Sequence, residues 1–308
     1  MIKYGIVVAL ALHTAAMPPS APPAAPGATR GHALAGVQAP TMFGFTVREE
    51  RRWVVESDAI HFRPGEYILW TMRLDNIDRN ATGAVAHFRL TREERQFSRR
   101  QNILNPDETD YRVTETHLWV NENGFPLRVW YNDDRQGSLS GGGHVEVRWQ
   151  EGHLRVLNPD AMGFREYDLR IPGGGEIDPQ RPGGVFVSAT VNPGLLALPY
   201  TLALERTGRS IRFVSFDPTP LLASEPTNQG PRQPPTPLQM SDRSLRHVTL
   251  TIGRSQRIPV AGVTTFVEHV DLSDSGDVFI EPGGKVVRIN ITMRRANAWI
   301  RLLRPSEY

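Results

Sequence analysis

Between Arg246 and Thr292 the chain reads RHVTLTIGRSQRIPVAGVTTFVEHVDLSDSGDVFIEPGGKVVRINIT. Apolar residues recur there at every second position between short turn clusters. Val248, Leu250 and Ile252 fall on one face and Thr249 and Thr251 on the other, the period of a strand with one side buried. Ile258 to Gly262 is a connector whose Pro259 cannot donate to a ladder and so belongs at an edge or a strand start. Phe266, Val270 and Leu272 share the face of a further strand, and Asp271 to Asp277 supplies turn chemistry. Val278-Phe279-Ile280 then turns through Glu281-Pro282-Gly283-Gly284 into Val287, Ile289 and Ile291, again alternating. Such a stretch folds as four or five short antiparallel strands.

The same material extends upstream. A first strand is expected at Trp53-Val54-Val55, and Ile68, Trp70, Met72 and Leu74 share one face of a second. Asp75 to Thr82 reads as a polar turn, with a strand returning over Ala84 to Leu90. The charge cluster Thr91 to Arg100 mixes acidic Glu93 and Glu94 with its arginines and reads as a solvated helix or strand end. Asn121-Glu122-Asn123-Gly124 is a hairpin signal between Tyr111–Val120 and Phe125–Tyr131. Val145, Val147 and Trp149 alternate inward. Only one segment reads as helix, about 193–204: Asn192 caps it, Pro193 takes its first position and Pro199 is expected to kink it. It is apolar nearly all round, so it is buried against the sheet or lines a cavity.

The chain divides as follows: a secretory signal at 1–16, a Pro/Ala-rich spacer at 17–42, an N-terminal β half at 43–172 and a Gly/Pro-rich break at 173–184. A C-terminal half follows at 185–308, carrying the helix, a Pro-rich loop at 225–237 and the closing meander at 246–292. The signal expectation rests on Lys3, the short apolar run Gly5 to Leu12 and the small residues Thr14-Ala15-Ala16. That run is too short to span a bilayer, so the mature chain is not expected to cross a membrane by a helix. With 35 basic against 33 acidic residues, no nucleic acid or other polyanion is implied as a partner. Cysteine is absent, which excludes disulfides, thiolate metal sites, a cysteine nucleophile and lipidation on cysteine. A periplasmic or extracellular location without a lipid anchor is expected.

The residues Asn123-Gly124-Phe125-Pro126-Leu127-Arg128, the apolar helix after Pro193, the module Ile258 to Phe266 and the closing hairpin Val278 to Ile291 occur in a familiar order. That order resembles a group of secreted bacterial proteins of a domain of unknown function, similar in turn to the lipoprotein-carrier (Lol-like) half-barrels. The resemblance spans Glu66 to Thr292. It implies a mostly all-β fold, a curved antiparallel meander or half-barrel packed on one helix. The better-known carriers hold an acyl chain between the two, and no catalytic residues come with the family.

Chemistry motifs are missing. In Gly137-Ser138-Leu139-Ser140-Gly141 a leucine stands where a nucleophile elbow needs serine, and the glycine triplets are turn glycines rather than phosphate loops. His144 with Glu146, and His269 with Asp271, are spaced to share a strand face, which a metal site requires, but two ligands do not make a site. No cofactor or metal is therefore expected. The candidate lining of an apolar cavity is Trp70, Trp119, Trp149, Phe266 and Phe279, read as inward on their strands, with Leu195, Leu198 and Leu202 of the helix; the same residues also suit an ordinary filled core. Three functions remain in order. The first is a non-enzymatic exported envelope protein binding a lipid or other hydrophobe. The second is a structural or interaction subunit of an envelope complex with a filled core and a protein partner. The third is a metal-assisted hydrolase built on His144, Glu146, His269 or Asp271.

Overall fold

The computed structural model describes residues 39–57, 65–80, 83–97, 109–136, 143–150, 153–158, 165–171, 184–222, 237–273, 276–293 and 296–307. The period-two pattern becomes one continuous sheet there. A small ribbon, β1 (Thr41–Met42) with β2 (Phe45–Thr46), precedes it. The first half comprises β3 (Glu50–Ser57), β4 (Tyr67–Asn80), β5 (Gly83–Phe97), β6 (Thr109–Asn121), β7 (Pro126–Gln136), β8 (Gly143–Gln150), β9 (His153–Asn158) and β10 (Arg165–Leu169). The second comprises β11 (Val185–Val187), β12 (Ser210–Phe216), β13 (Leu245–Val260), β14 (Val263–Leu272), β15 (Gly276–Glu281), β16 (Lys285–Met293) and β17 (Ala296–Leu302).

Within each half, consecutive strands pair. The halves join where β17 lies antiparallel to β3, with Ile300 opposite Val55, so the two form one sheet. The chain starts in the middle of its own sheet, walks out to the β10 edge, reappears at the opposite β11 edge and walks back. Every pairing is antiparallel except β11 with β12. The fold is thus mostly β, as the alternation requires. The expected break at 173–184 lies outside the described residues except for Gly184, as do the signal, the spacer up to 38 and most of the Pro-rich loop.

Some boundaries differ from expectation. Asp75 to Asn80 is strand rather than turn: β4 absorbs its polar residues through a bulge between Leu74 and Asn76 and runs on to pair Asn80 with Gly83. The charge cluster does not end β5, which continues to Phe97 opposite Thr109. Ile258 and Pro259 extend β13 toward a tight turn at Ala261-Gly262, and Pro259 pairs with Thr264 on the overhang beyond β15. Two short helices were not legible: α2 (Thr219–Leu222) and α3 (Pro237–Ser244). Ser241 Oγ of α3 accepts from the Arg170 N–H just past β10, tying that edge to the C-terminal half.

The sheet curls around the expected helix. It opens as a 3-10 turn, Pro193–Leu196, becomes α1 (Ala197–Leu202) and ends in a wider π turn, Ala203–Thr207. Asn192 caps it, its side chain accepting from the Gly194 N–H at 2.9 Å while donating to the Thr71 carbonyl of β4 at 2.9 Å. Pro199 sits near the start of α1, where a missing N–H costs little, and breaks nothing. From Pro193 to Tyr200 every residue is buried. Gly194 is required by close approach: a Cβ there would stand 2.5 Å from Trp53 Cη2 and 2.7 Å from Met72 Sδ. At the other end of the curl, Gly124 in the β6–β7 turn (φ +73°) is covered by Phe186 of β11 and Leu202 of α1. Strands far apart in the sheet order therefore meet across the helix.

Candidate functional site

The hydrophobic core holds six of the eight expected lining residues. Leu195, Leu198 and Leu202 of the helix are almost wholly buried, as is Trp70 of β4 at 6% exposure. Trp149 packs edge-on against Phe125 at 4.8 Å between ring centres. The other two, Trp119 and Phe266, lie elsewhere. Trp119 is on the outer face, because Leu118 and Val120 take the inward positions of β6. Phe279, by contrast, is buried at 9% exposure within the core cluster and packs beside His269 at 5.5 Å between ring centres. Phe266 is 52% exposed, on the stretch of β14 that pairs with β13 but extends beyond the reach of β15. For Trp119 and Phe266, alternation identified a strand and assigned the wrong side, since a shift of one residue moves every side chain to the other face.

The cavity that the described residues form against the helix is small. The cavity walled by Phe186, Leu195, Leu196, Pro199, Phe213 and Val248 measures about 20 Å³, room for one water. Below this, Tyr200 is fully buried and its hydroxyl donates to Glu268 Oε2 at 2.7 Å.

Toward one end the interior turns polar, along a row of cross-strand partners: Trp53, Trp70, Arg92, Thr114 and Asp133. Arg112 donates through Nε to Asp133 Oδ1 at 2.7 Å and through Nη2 to its other oxygen. Arg92 pairs with Glu94 at 2.7 Å and lies over the Trp70 ring, 5.5 Å from its centre. The Trp70 Nε1 and Arg92 Nε protons are buried without a partner. Sequence reading missed this row by treating Thr91 to Arg100 as solvated. The available signal was parity: Phe88, Leu90, Arg92 and Glu94 share one face of β5.

The outer face of β5 to β8 carries a ladder of rings. His87 stacks on Trp119 at 4.4 Å and 6°, with Arg128 on Trp119 at 4.6 Å. His87 Nε2 faces His117 Nδ1 at 3.1 Å, and His117 packs edge-on to Trp130 at 5.2 Å. Burial, reinforced by His117, holds the His87 pKa below its ordinary value. The two metal-spaced pairs do not converge. Glu146 is held by Arg128 at 2.6 Å and Arg148 at 2.5 Å, which outweigh burial and keep its carboxyl below the usual range. His269 Nε2 meets Asp277 at 2.8 Å instead of Asp271. Among the described residues no group of three or more metal-ligating side chains comes together. No helix among them is long and apolar enough to cross a membrane.

No protein-family model matches the chain, and no curated protein does. Among solved structures, it is similar to a Brucella abortus protein described as "Beta-barrel-like Protein of Domain of Unknown Function DUF1849". The TM-score is 0.42 at 10% identity, covering 83% of this chain and 95% of that one.

Proposed function

We propose that the chain is a non-enzymatic exported protein of the cell envelope, acting as a structural or interaction subunit with a filled core. One observation carries this reading: the helix is wedged into the sheet as a plug. Gly194 leaves no room for even a methyl group against Trp53 and Met72, and the cavity beside the helix holds about one water. A carrier of the lipoprotein type needs space between helix and sheet for an acyl chain, and drug-sized pockets start at roughly 300 Å³. The outer face supplies what an interaction protein needs, with the His87–Trp119–Arg128 stack on one side and exposed Val263 and Phe266 on the β13–β14 overhang.

The test is native mass spectrometry of the mature protein, purified from its own envelope without detergent, before and after organic extraction. A bare protein mass in both spectra is the expected result. A stoichiometric lipid that disappears on extraction would overturn the filled core and restore the carrier reading.

A further inference from the structure

The tail segment Trp299–Arg304, for which the sequence offers no role, forms the floor of a second cavity on the outer face. Alternation on β17 buries Ala298, Ile300 and Leu302 and turns Trp299 and Arg301 outward. Trp299 lies across from Glu56 of β3 on one side and Asn290 of β16 on the other; Arg301 lies across from Arg288. Over this floor folds the tip of the β13–β14 overhang, Pro259 to Ala261, pinned by Arg304 Nη2 donating to the Val260 carbonyl at 2.7 Å. Ala261 holds φ +46° in the turn, a conformation uncommon for a residue with a side chain. Between tip and floor remains a cavity of about 160 Å³, eight times the one beside the helix.

The charges of the cavity are unevenly satisfied. Glu56 accepts from Trp299 Nε1 at 2.8 Å and from Arg301 Nε at 2.8 Å. Burial pushes its carboxyl up, but these two donors outweigh it and hold the group ionised below the usual range. Arg301 is matched a second time by Glu307 at 3.0 Å. Arg288 differs. It lies over the Trp299 indole, 4.9 Å from the ring centre, and its Nε donates to the neutral Asn290 amide at 2.9 Å. No carboxylate pairs with it among the described residues. The cavity therefore presents one uncompensated guanidinium beside a flat indole, roofed by Pro259 and Val260.

We infer that this cavity binds a small organic carboxylate on a planar apolar body, with Arg288 holding the carboxylate and the body lying between Trp299 and Pro259. A guanidinium fork matches a carboxylate in two parallel hydrogen bonds, and stacking on Trp299 already holds the fork in place. The volume limits the body to about one six-membered ring, since a cavity of roughly 150 Å³ accommodates benzene. The inference is independent of what fills the interior.

The experiment is an NMR titration of the full chain with benzoate, following the Trp299 indole N–H peak, assigned from its loss in Trp299→Phe. A fragment of this size reaches a dissociation constant on the order of 1 mM. Benzoate is expected to shift the peak with saturation, benzamide to leave it in place, and Arg288→Gln to weaken benzoate at least tenfold. Equal shifts from benzoate and benzamide, an unchanged affinity in R288Q, or no shift at about 10 mM benzoate would each overturn the site. The benzamide comparison uses the native chain, so it decides the matter even if R288Q folds poorly.

Discussion

The Tyr200 hydroxyl donates to the Glu268 carboxylate at 2.7 Å, tying the middle of the plugging helix to β14. Burial, and then this bond to a carboxylate, raise the phenol pKa far above its ordinary value near 10. The folded state keeps the proton after the unfolded chain has released it. The contribution is therefore complete below about pH 10 and shrinks as pH climbs toward the folded value. Tyr200→Phe should cost about 1.5–3 kcal/mol in urea unfolding at pH 8. The gap between variant and wild type should narrow above about pH 10. A gap that stays constant with pH would show that Tyr200 contributes packing alone.

The His87 ring titrates in the opposite sense. It faces His117 and Trp119 on β6, Asp75 and Asp78 on β4 and Arg89 on its own strand. Burial and the neighbouring His117 lower its pKa in the fold, so the unfolded chain takes up the proton first. Its contribution is full above about pH 6.5 and is lost as pH falls through the lowered folded value. His87→Phe keeps the stack on Trp119 and removes the titration. Melting temperature between pH 7 and 5 should fall less steeply in this variant than in wild type; parallel profiles would refute the assignment.

The sheet was legible wherever alternation was long. Ile68 to Leu74, Val145 to Trp149 and Val248 to Ile252 face inward as read, because one buried face leaves an unmistakable period. The helix was legible from its cap, Asn192-Pro193, and from its lack of any polar face. Parity failed at Trp119 and Phe266. The side an aromatic takes depends on bulges and on how far the neighbouring strand reaches, and β15 stops short of Phe266. The Trp299 cavity was invisible for a related reason. Its roof and floor are some forty residues apart and meet only because β13 overruns the sheet.

The ion pairs should separate by face. Asp133 is 6% exposed and holds Arg112 with both oxygens inside the curl, whereas Glu146 meets half-exposed Arg128 and Arg148 outside. Removing one partner of a buried pair leaves the other unmatched in low dielectric, and Asp133→Ala should cost about 3 kcal/mol or more. Glu146→Ala should cost about 1 kcal/mol or less, since solvent screens its partners. Urea midpoints of the two variants measure both. Similar losses would mean that the Arg112 end of the interior is open to water.

Gly194 tests whether the helix is a fixed plug or a part that slides. Gly194→Ala places a methyl group 2.5 Å from Trp53 Cη2, and in a fixed plug the strain has nowhere to go. Overpacking of this kind costs about 1–3 kcal/mol. Met72→Ala alone removes buried volume and costs about 2–5 kcal/mol. Combined, the truncation removes the 2.7 Å contact with Met72 Sδ, so the double variant should be more stable than the sum of the two losses implies, by at least about 0.5 kcal/mol. A helix able to slide outward would instead absorb the alanine. G194A would then melt like wild type, and the two changes would add.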